Sequence, residues 1–149
     1  MSLRARRSRT IELSAEQRLI YADSSALVKL VIDEPESSAL QRHLERPASV
    51  LATSQIALVE VGRAARVANP ADAVQVEIDR LLSSCLLVAV SSSLLRGARR
   101  IASASVRTSD AIHIASALRI EPDELVAYDR RLLQTARQQG LSAVAPGGG

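Results

Sequence analysis

The chain has 149 residues and a formal net charge of +3 at neutral pH, and 47% of its residues are hydrophobic. This length suits one domain with a sizeable core. No apolar run reaches the roughly 18 residues of a membrane span, and charges interrupt the N-terminus too often for a secretory signal. Cys85 is the only cysteine, so an internal disulfide is excluded and a reducing cytoplasm is the expected location.

The basic residues are almost all arginine, since Lys29 is the only lysine among 19 basic side chains. An arginine-rich surface is compatible with nucleic acid, because a guanidinium binds phosphate through a planar fork. Genome composition can also enrich arginine without any function. There is no Phe or Trp and there are only two Tyr, so a nucleic acid would be held by charge and backbone contacts with little base stacking.

The chain divides into three parts in order. Residues 1–17 are polar and basic and predict a flexible extension, residues 18–146 predict one domain, and residues 147–149 predict a disordered tail. Predicted strands cover 19–22, 49–53, 86–90, 125–128 and 141–145. Predicted helices cover 26–32, 37–46, 55–68, 70–83, 91–102, 109–118 and 130–139, with caps at Ser24 or Ser25, Ser54, Asn69 and Ser109.

Strands therefore alternate with helices along the whole domain. This alternation predicts an α/β fold in which helices cover both faces of a parallel sheet. We find no internal repeat and no second domain in the sequence.

Two of the predicted strands end in the same way. The apolar run 19–22 is followed by Asp23, and the run 125–128 is followed by Asp129, each just before a helix. Open α/β sheets bind ligands at the carboxyl ends of their strands. Asp23 and Asp129 are therefore expected to lie at the same edge of the sheet, although either acid could also serve only as a cap or turn residue.

Two further acids lie on apolar helices. Glu60 stands between two valines, which predicts partial burial of its carboxylate, although a surface pair with Arg63 is the alternative. Asp110 begins a helix that is apolar on nearly every side, where the helix dipole alone could favour an acid. His113, one turn further on, is expected to be hydrogen-bonded rather than a metal ligand.

Together these four acids, named here the acid pocket, predict a cation site. Two like charges about 5 Å apart cost about 3 kcal/mol at an effective dielectric of about 20. Either some of the carboxyl groups stay protonated or a cation neutralises them. Ligands that are all oxygen suit Mg²⁺ or Mn²⁺, which can activate water and stabilise the leaving oxygen of a phosphodiester. The pattern favours a metal-dependent nuclease.

Four segments resemble the motifs of PIN-domain ribonucleases, specifically the VapC-type toxins of type II toxin–antitoxin systems. The resemblance covers about residues 19–146, in order and at plausible spacings. Any one segment is weak evidence, whereas all four together are specific. The segments are Tyr-Ala-Asp-Ser-Ser-Ala-Leu-Val-Lys-Leu from Tyr21, Leu-Val-Glu-Val from Leu58, Arg-Thr-Ser-Asp-Ala-Ile-His from Arg107, and Tyr-Asp-Arg-Arg-Leu from Tyr128.

The resemblance implies a three-layer α/β/α fold with a central parallel sheet of about five strands. It implies that Asp23, Glu60, Asp110 and Asp129 hold Mg²⁺ or Mn²⁺, with Ser25 and Ser109 supporting the acids, and that RNA is cut by a metal-bound water. It also implies a homodimer and a cognate antitoxin that covers the pocket. The basic extension before residue 18 departs from the family pattern.

The first two helices carry more apolar residues than one sheet face needs, and part of this surface is expected to form a groove for an amphipathic antitoxin segment. These residues are Ala26, Leu27, Leu30, Val31 and Leu40.

Other functions fit the residues less well. A response-regulator receiver needs adjacent acids after the first strand and a late lysine, and a haloacid-dehalogenase-like phosphatase needs an acid where Ser25 stands. The remaining alternative is a PIN-like module that binds RNA or protein without cutting.

Overall fold

The computed structural model describes residues 11–45, 48–101 and 103–149. In this part of the chain a five-stranded parallel sheet has the strand order β3-β2-β1-β4-β5. The strands are β1 (Arg18–Ala22), β2 (Ser49–Ser54), β3 (Leu86–Val88), β4 (Glu124–Val126) and β5 (Ala143–Val144). The helices are α1 (Ser24–Lys29), α2 (Ser37–Glu45), α3 (Ala57–Ala68), α4 (Asp72–Ser84), α5 (Ser92–Ala98), α6 (Thr108–Ile120) and α7 (Arg130–Gln138).

The central strand β1 is buried on both faces because its side chains alternate between two cores. Leu19 and Tyr21 point into a core shared with α5, α6 and α7. Ile20 and Ala22 point into a second core shared with α1, α2, α3 and α4. The predicted three-layer α/β/α fold, with a parallel sheet of about five strands, is therefore confirmed.

The strand order also fixes where a ligand site can form. The chain runs from β1 outward through β2 to β3, and then returns to place β4 on the other side of β1. The topological switch point thus lies between β1 and β4, and open sheets bind ligands at the carboxyl edge of this point.

Two helix starts differ from the sequence-based expectation. Ser54 ends β2, and its hydroxyl accepts the N–H of Ile56 instead of capping α3. Asn69 follows the end of α3, and α4 begins only at Asp72, so Pro70 is not its first residue. In both cases the polar side chain shapes the connecting turn, which local sequence does not distinguish from a cap.

The two ends of the chain bear on the predicted domain bounds. Residues 1–10 lie outside the described part of the chain, and Ile11 and Leu13 are partly buried against the core of α5, α6 and α7. At the other end, the N–H of Gly148 donates to the carbonyl of Ala145 at 2.8 Å. The flexible extension and the disordered tail stay predictions.

Three of the five apolar residues expected on the first two helices are buried, whereas Leu30 and Val31 are partly exposed, so the groove stays a prediction. Ala26, Leu27 and Leu40 are at most 1% exposed, because they form the core between the sheet and these helices. Exposed apolar side chains lie on α3, where Leu58, Val59 and Val67 face solvent. No helix among the described residues is long and apolar enough to cross a membrane.

Candidate active site

Asp23 follows β1 and lies buried at the carboxyl edge of the sheet, with 5% of its surface exposed. It is itself the N-cap of α1, a role that the sequence assigned to Ser24 or Ser25. Its Oδ1 accepts the N–H of Ala26 at 3.0 Å and the hydroxyl of Ser25 at 2.7 Å. These two bonds orient the carboxylate, so the side chain of Ser25 supports an acid of the pocket directly.

Asp129 repeats this arrangement on the neighbouring strand. It follows β4 and caps α7, where its Oδ1 accepts the N–H groups of Arg131 at 2.9 Å and Leu132 at 3.0 Å. Because β1 and β4 pair directly, Asp23 and Asp129 flank the topological switch point. Unlike Asp23, Asp129 is exposed to solvent.

Glu60 lies in the first turn of α3, which is separated from the end of β2 by two residues. Its Oε1 accepts the hydroxyl of Ser24 at 2.8 Å and lies 2.8 Å from Nε2 of His113. Ser109 also hydrogen-bonds this side chain. In the described part of the chain Glu60 makes no ion pair with Arg63, so the surface-pair alternative is wrong.

Asp110 occupies the third position of α6, whose N-terminus reaches the same edge because α6 runs antiparallel to β4. Its Oδ2 accepts the backbone N–H of Arg107 at 3.3 Å, and Arg107 is the N-cap residue. Ser109 therefore lies inside the helix and is not its cap.

The electrostatics link the four acids into one site. Burial raises the pKa of Asp23, and the charge of Asp110 raises it further, against opposing effects of His113, Ser25 and Ala26. Burial also raises the pKa of Asp110, and the negative charges of Asp129 and Glu60 raise it further. The hydrogen bond from His113 lowers the pKa of Glu60 more than burial raises it. The pocket thus concentrates negative charge, and the burial of Asp23 and Asp110 disfavours their ionised forms.

This donor set fits a hard divalent cation in its chemistry. Its donors are carboxylate and hydroxyl oxygens, the ligands that Mg²⁺ and Mn²⁺ prefer. Burial raises the pKa values of Asp23 and Asp110 most, and the charges of neighbouring acids raise them further; a cation would relieve this repulsion. As their side chains stand, no three acid, histidine or cysteine residues among those described are close enough together to hold an ion.

A buried chain of polar side chains lies behind Glu60, and the sequence did not predict it. Tyr21 Oη lies 2.7 Å from Nδ1 of His113. The other ring nitrogen, Nε2, contacts Glu60 at 2.8 Å and Ser24 at 3.2 Å. The expectation that His113 is hydrogen-bonded agrees with this contact, but its partners were not foreseen. The three-residue spacing from Asp110 was the available signal, because it places His113 one turn inward on the same helix face.

The chain is similar to known proteins over most of its length. Residues 20–138 match the family model of the PIN domain. The chain is 38% identical to the ribonuclease VapC46 of Mycobacterium tuberculosis (strain ATCC 25618 / H37Rv) in an alignment of 135 positions that covers 85% of this chain and 97% of that protein. It is 36% identical to the ribonuclease VapC47 of strain CDC 1551 / Oshkosh, over 87% of this chain and 98% of the relative.

Solved structures agree on the fold. The crystal structure of VapC20 from Mycobacterium tuberculosis, a toxin that cleaves the sarcin–ricin loop, matches with a TM-score of 0.68 at 19% identity, covering 85% of this chain and 99% of the other. VapBC2 from Rickettsia felis, bound to a DNA fragment from its promoter, matches with a TM-score of 0.65 at 15% identity, covering 85% and 98%. The family match and these relatives together show that the chain belongs to the PIN-domain family, among the ribonucleases of the VapC type.

Proposed function

We propose that this protein is a divalent-metal-dependent endoribonuclease toxin that cuts RNA at the acid pocket. The observation that supports this most strongly is the placement of Asp23, a buried acid of raised pKa, beside Asp110 and Asp129 at the switch point of the sheet. Acids with perturbed pKa values at the carboxyl edge of an open parallel sheet are typical of functional sites. The relatives named as ribonucleases support RNA as the substrate.

Asp23 and Asp110 would be the principal ligands of Mg²⁺ or Mn²⁺, and Glu60 and Asp129 would contribute directly or through water. A bound ion of this kind activates water and stabilises the leaving oxygen of a phosphodiester. The residues of the chain orient the ligands: Ser25 and the N–H of Ala26 hold Asp23, and the N–H of Arg107 holds Asp110.

Arginines surround the acid pocket and support an RNA substrate. Arg63 lies one turn beyond Glu60, Arg107 precedes Asp110, and Arg130 and Arg131 follow Asp129, and all four side chains are exposed. Among the described residues none of the four forms an ion pair. Free guanidinium groups around an acidic centre would bind phosphates on either side of the scissile bond.

We also propose a cytoplasmic location, a homodimer and a cognate antitoxin. The VapBC2 complex among the structural neighbours supports the antitoxin. The exposed side chains of Val59 and Val67 on α3 line the same surface recess as Glu60, so a protein segment that covers them would also pass over the acid pocket.

The direct test is incubation of the purified protein with total cellular RNA in the presence of Mg²⁺, Mn²⁺ or a chelator. Discrete RNA fragments that appear only with the metals are expected. Intact RNA under all conditions would favour the alternative, a PIN-like module that binds RNA or protein without cutting.

A further inference from the structure

His113 makes a hydrogen-bonding contact with each of its two ring nitrogens. The residue is 2% exposed and packs edge-on against the ring of Tyr21. Nδ1 lies 2.7 Å from the Tyr21 hydroxyl, and Nε2 lies 2.8 Å from Oε1 of Glu60. The imidazole therefore joins the buried face of β1 to the rim of the acid pocket.

The chemistry of the two neighbours selects one arrangement of protons. An ionised carboxylate only accepts hydrogen bonds, and Oε1 of Glu60 already accepts the hydroxyl of Ser24. The phenol of Tyr21 carries a proton that it can donate, because the ordinary pKa of tyrosine is about 10. The opposite tautomer would turn a nitrogen lone pair toward the carboxylate. Both contacts are satisfied when Nδ1 accepts from Tyr21 and Nε2–H donates to Glu60.

The same carboxylate oxygen is held from a second side. The hydroxyl of Ser24 donates to Oε1 of Glu60 at 2.8 Å and lies 3.2 Å from Nε2 of His113. With two donors on one oxygen, the carboxylate of Glu60 has little freedom to rotate. Comparable outer contacts in metal sites fix the ligand orientation.

We propose that His113 is a positioning residue: its Nδ1 accepts from the Tyr21 hydroxyl, its Nε2–H donates to Glu60, and it so holds Glu60 at the acid pocket. This inference rests on the proposed function only where activity is measured. It adds to the four acids a buried support that reaches through α6 to β1.

The proton arrangement can be observed directly by ¹⁵N NMR of the imidazole nitrogens at about pH 8, above the ordinary histidine pKa. The chain has only two histidines, and a His43→Gln variant identifies the other one. We expect a proton on Nε2 of His113 and none on Nδ1. In Tyr21→Phe the Nδ1 resonance should move while the Nε2 proton remains. A proton on Nδ1, protons on both nitrogens, or an unchanged Nδ1 resonance in Tyr21→Phe would overturn the proposal.

The second measurement compares two replacements of His113. The amide nitrogen of glutamine can stand in for Nε2–H, whereas leucine cannot donate. We expect His113→Leu to weaken Mn²⁺ binding and RNA cleavage by about 10- to 100-fold, and His113→Gln to restore most of both. His43→Gln is the matched control, because His43 contacts Glu124 at the opposite edge of the sheet and should leave cleavage unchanged.

The outcomes separate the two proposals. Equal losses in His113→Gln and His113→Leu, or full cleavage by a folded His113→Leu, would overturn the positioning role. If thermal melting shows that His113→Leu does not fold, the NMR result on the wild type and Tyr21→Phe decides. If the wild type cleaves no RNA, the proposed function fails, while the NMR and Mn²⁺ measurements still decide the role of His113.

Discussion

Partial burial, and after it the negative charge of Asp129, raises the pKa of Asp110. The two acids begin or precede different helices, α6 and α7, and meet only because both helices start at the carboxyl edge of the sheet. We expect Asp110→Asn to keep the helix start, since the amide oxygen can still accept the N–H of Arg107. RNA cleavage should fall by about 100-fold, the upper end of the effect of altering support around a metal.

The control for Asp110→Asn is Glu45→Gln, an equal chemical change at an exposed position at the end of α2. It should leave cleavage and melting unchanged. The assay is the breakdown of total RNA with Mg²⁺ or Mn²⁺, beside thermal melting of each protein. Full cleavage by a folded Asp110→Asn variant would contradict the proposed mechanism.

The stability of the metal-free protein should depend on pH through Asp110. Its pKa is raised in the folded state, so ionisation of Asp110 at neutral pH destabilises the fold relative to the unfolded chain. Asp110→Asn should therefore melt at a higher temperature than the wild type at about pH 7, and the difference should vanish below about pH 3.9, where aspartate is protonated in both states. Melting curves in chelator across this range test the sign, and a gap that widens toward acid pH would contradict it.

Asp23 should decide metal affinity. Asp23→Asn keeps an N-cap for α1 and an acceptor for Ser25, but it removes a buried negative charge. We expect Mn²⁺ at about 100 times its dissociation constant to stabilise the wild type by about 2.7 kcal/mol and to stabilise Asp23→Asn far less. Calorimetry and melting with Mn²⁺ measure this, and equal affinity in the two proteins would remove the site.

Arginines around the pocket should set the salt dependence of RNA binding. If Arg107 and Arg131 each neutralise one phosphate, replacing either by alanine should reduce the salt slope of single-stranded RNA binding by about 0.7. Arg80→Ala is the control, because Arg80 lies on α4 and is paired with Glu77 at 2.9 Å. Binding would be measured on the Asp110→Asn protein to prevent cleavage. Equal slopes in all the proteins would exclude these arginines from the RNA site.

The exposed side of α3 should bind the antitoxin. Val59 is 61% exposed and adjoins Glu60, so Val59→Asp should weaken antitoxin binding while RNA cleavage by the free protein stays unchanged. Val76→Asp, at a valine of α4 that is 55% exposed, is the matched control. Co-purification with the product of a neighbouring antitoxin gene measures the effect. Equal retention of the antitoxin by both variants would place its binding surface elsewhere.

The sequence predicted the elements of the fold better than their ends. All five strands and seven helices described here overlap a predicted segment, because the apolar periodicity that marks an element is the same pattern that packs it into the sheet. The edge strand β5 has only two residues, against five predicted, since it pairs on one side alone. Only Ala143 and Val144 pair with β4, and the sequence does not show which residues of a segment find a partner strand.

The caps and the support of Glu60 depend on contacts between distant segments. Asp23, Ser24 and Ser25 are all good capping residues, and local sequence cannot tell which one the fold will use. Tyr21 and His113 are 92 positions apart, so their contact emerges only when α6 packs on β1. The pairing of Glu60 with His113 instead of Arg63 has the same origin, because the partner on the same helix was the only one that sequence spacing could indicate.

Asp23 and Asp129 are both N-caps of helices and proposed metal ligands. The folding of the site therefore does not depend on metal binding, although the proposed activity does. Each aspartate begins its own helix through hydrogen bonds to backbone N–H groups, and these bonds require no ion. The framework of the pocket is therefore complete in a protein from which every cation has been stripped. If the protein binds a metal as proposed, chelation would leave it folded and inactive, and returning the metal would restore RNA cleavage.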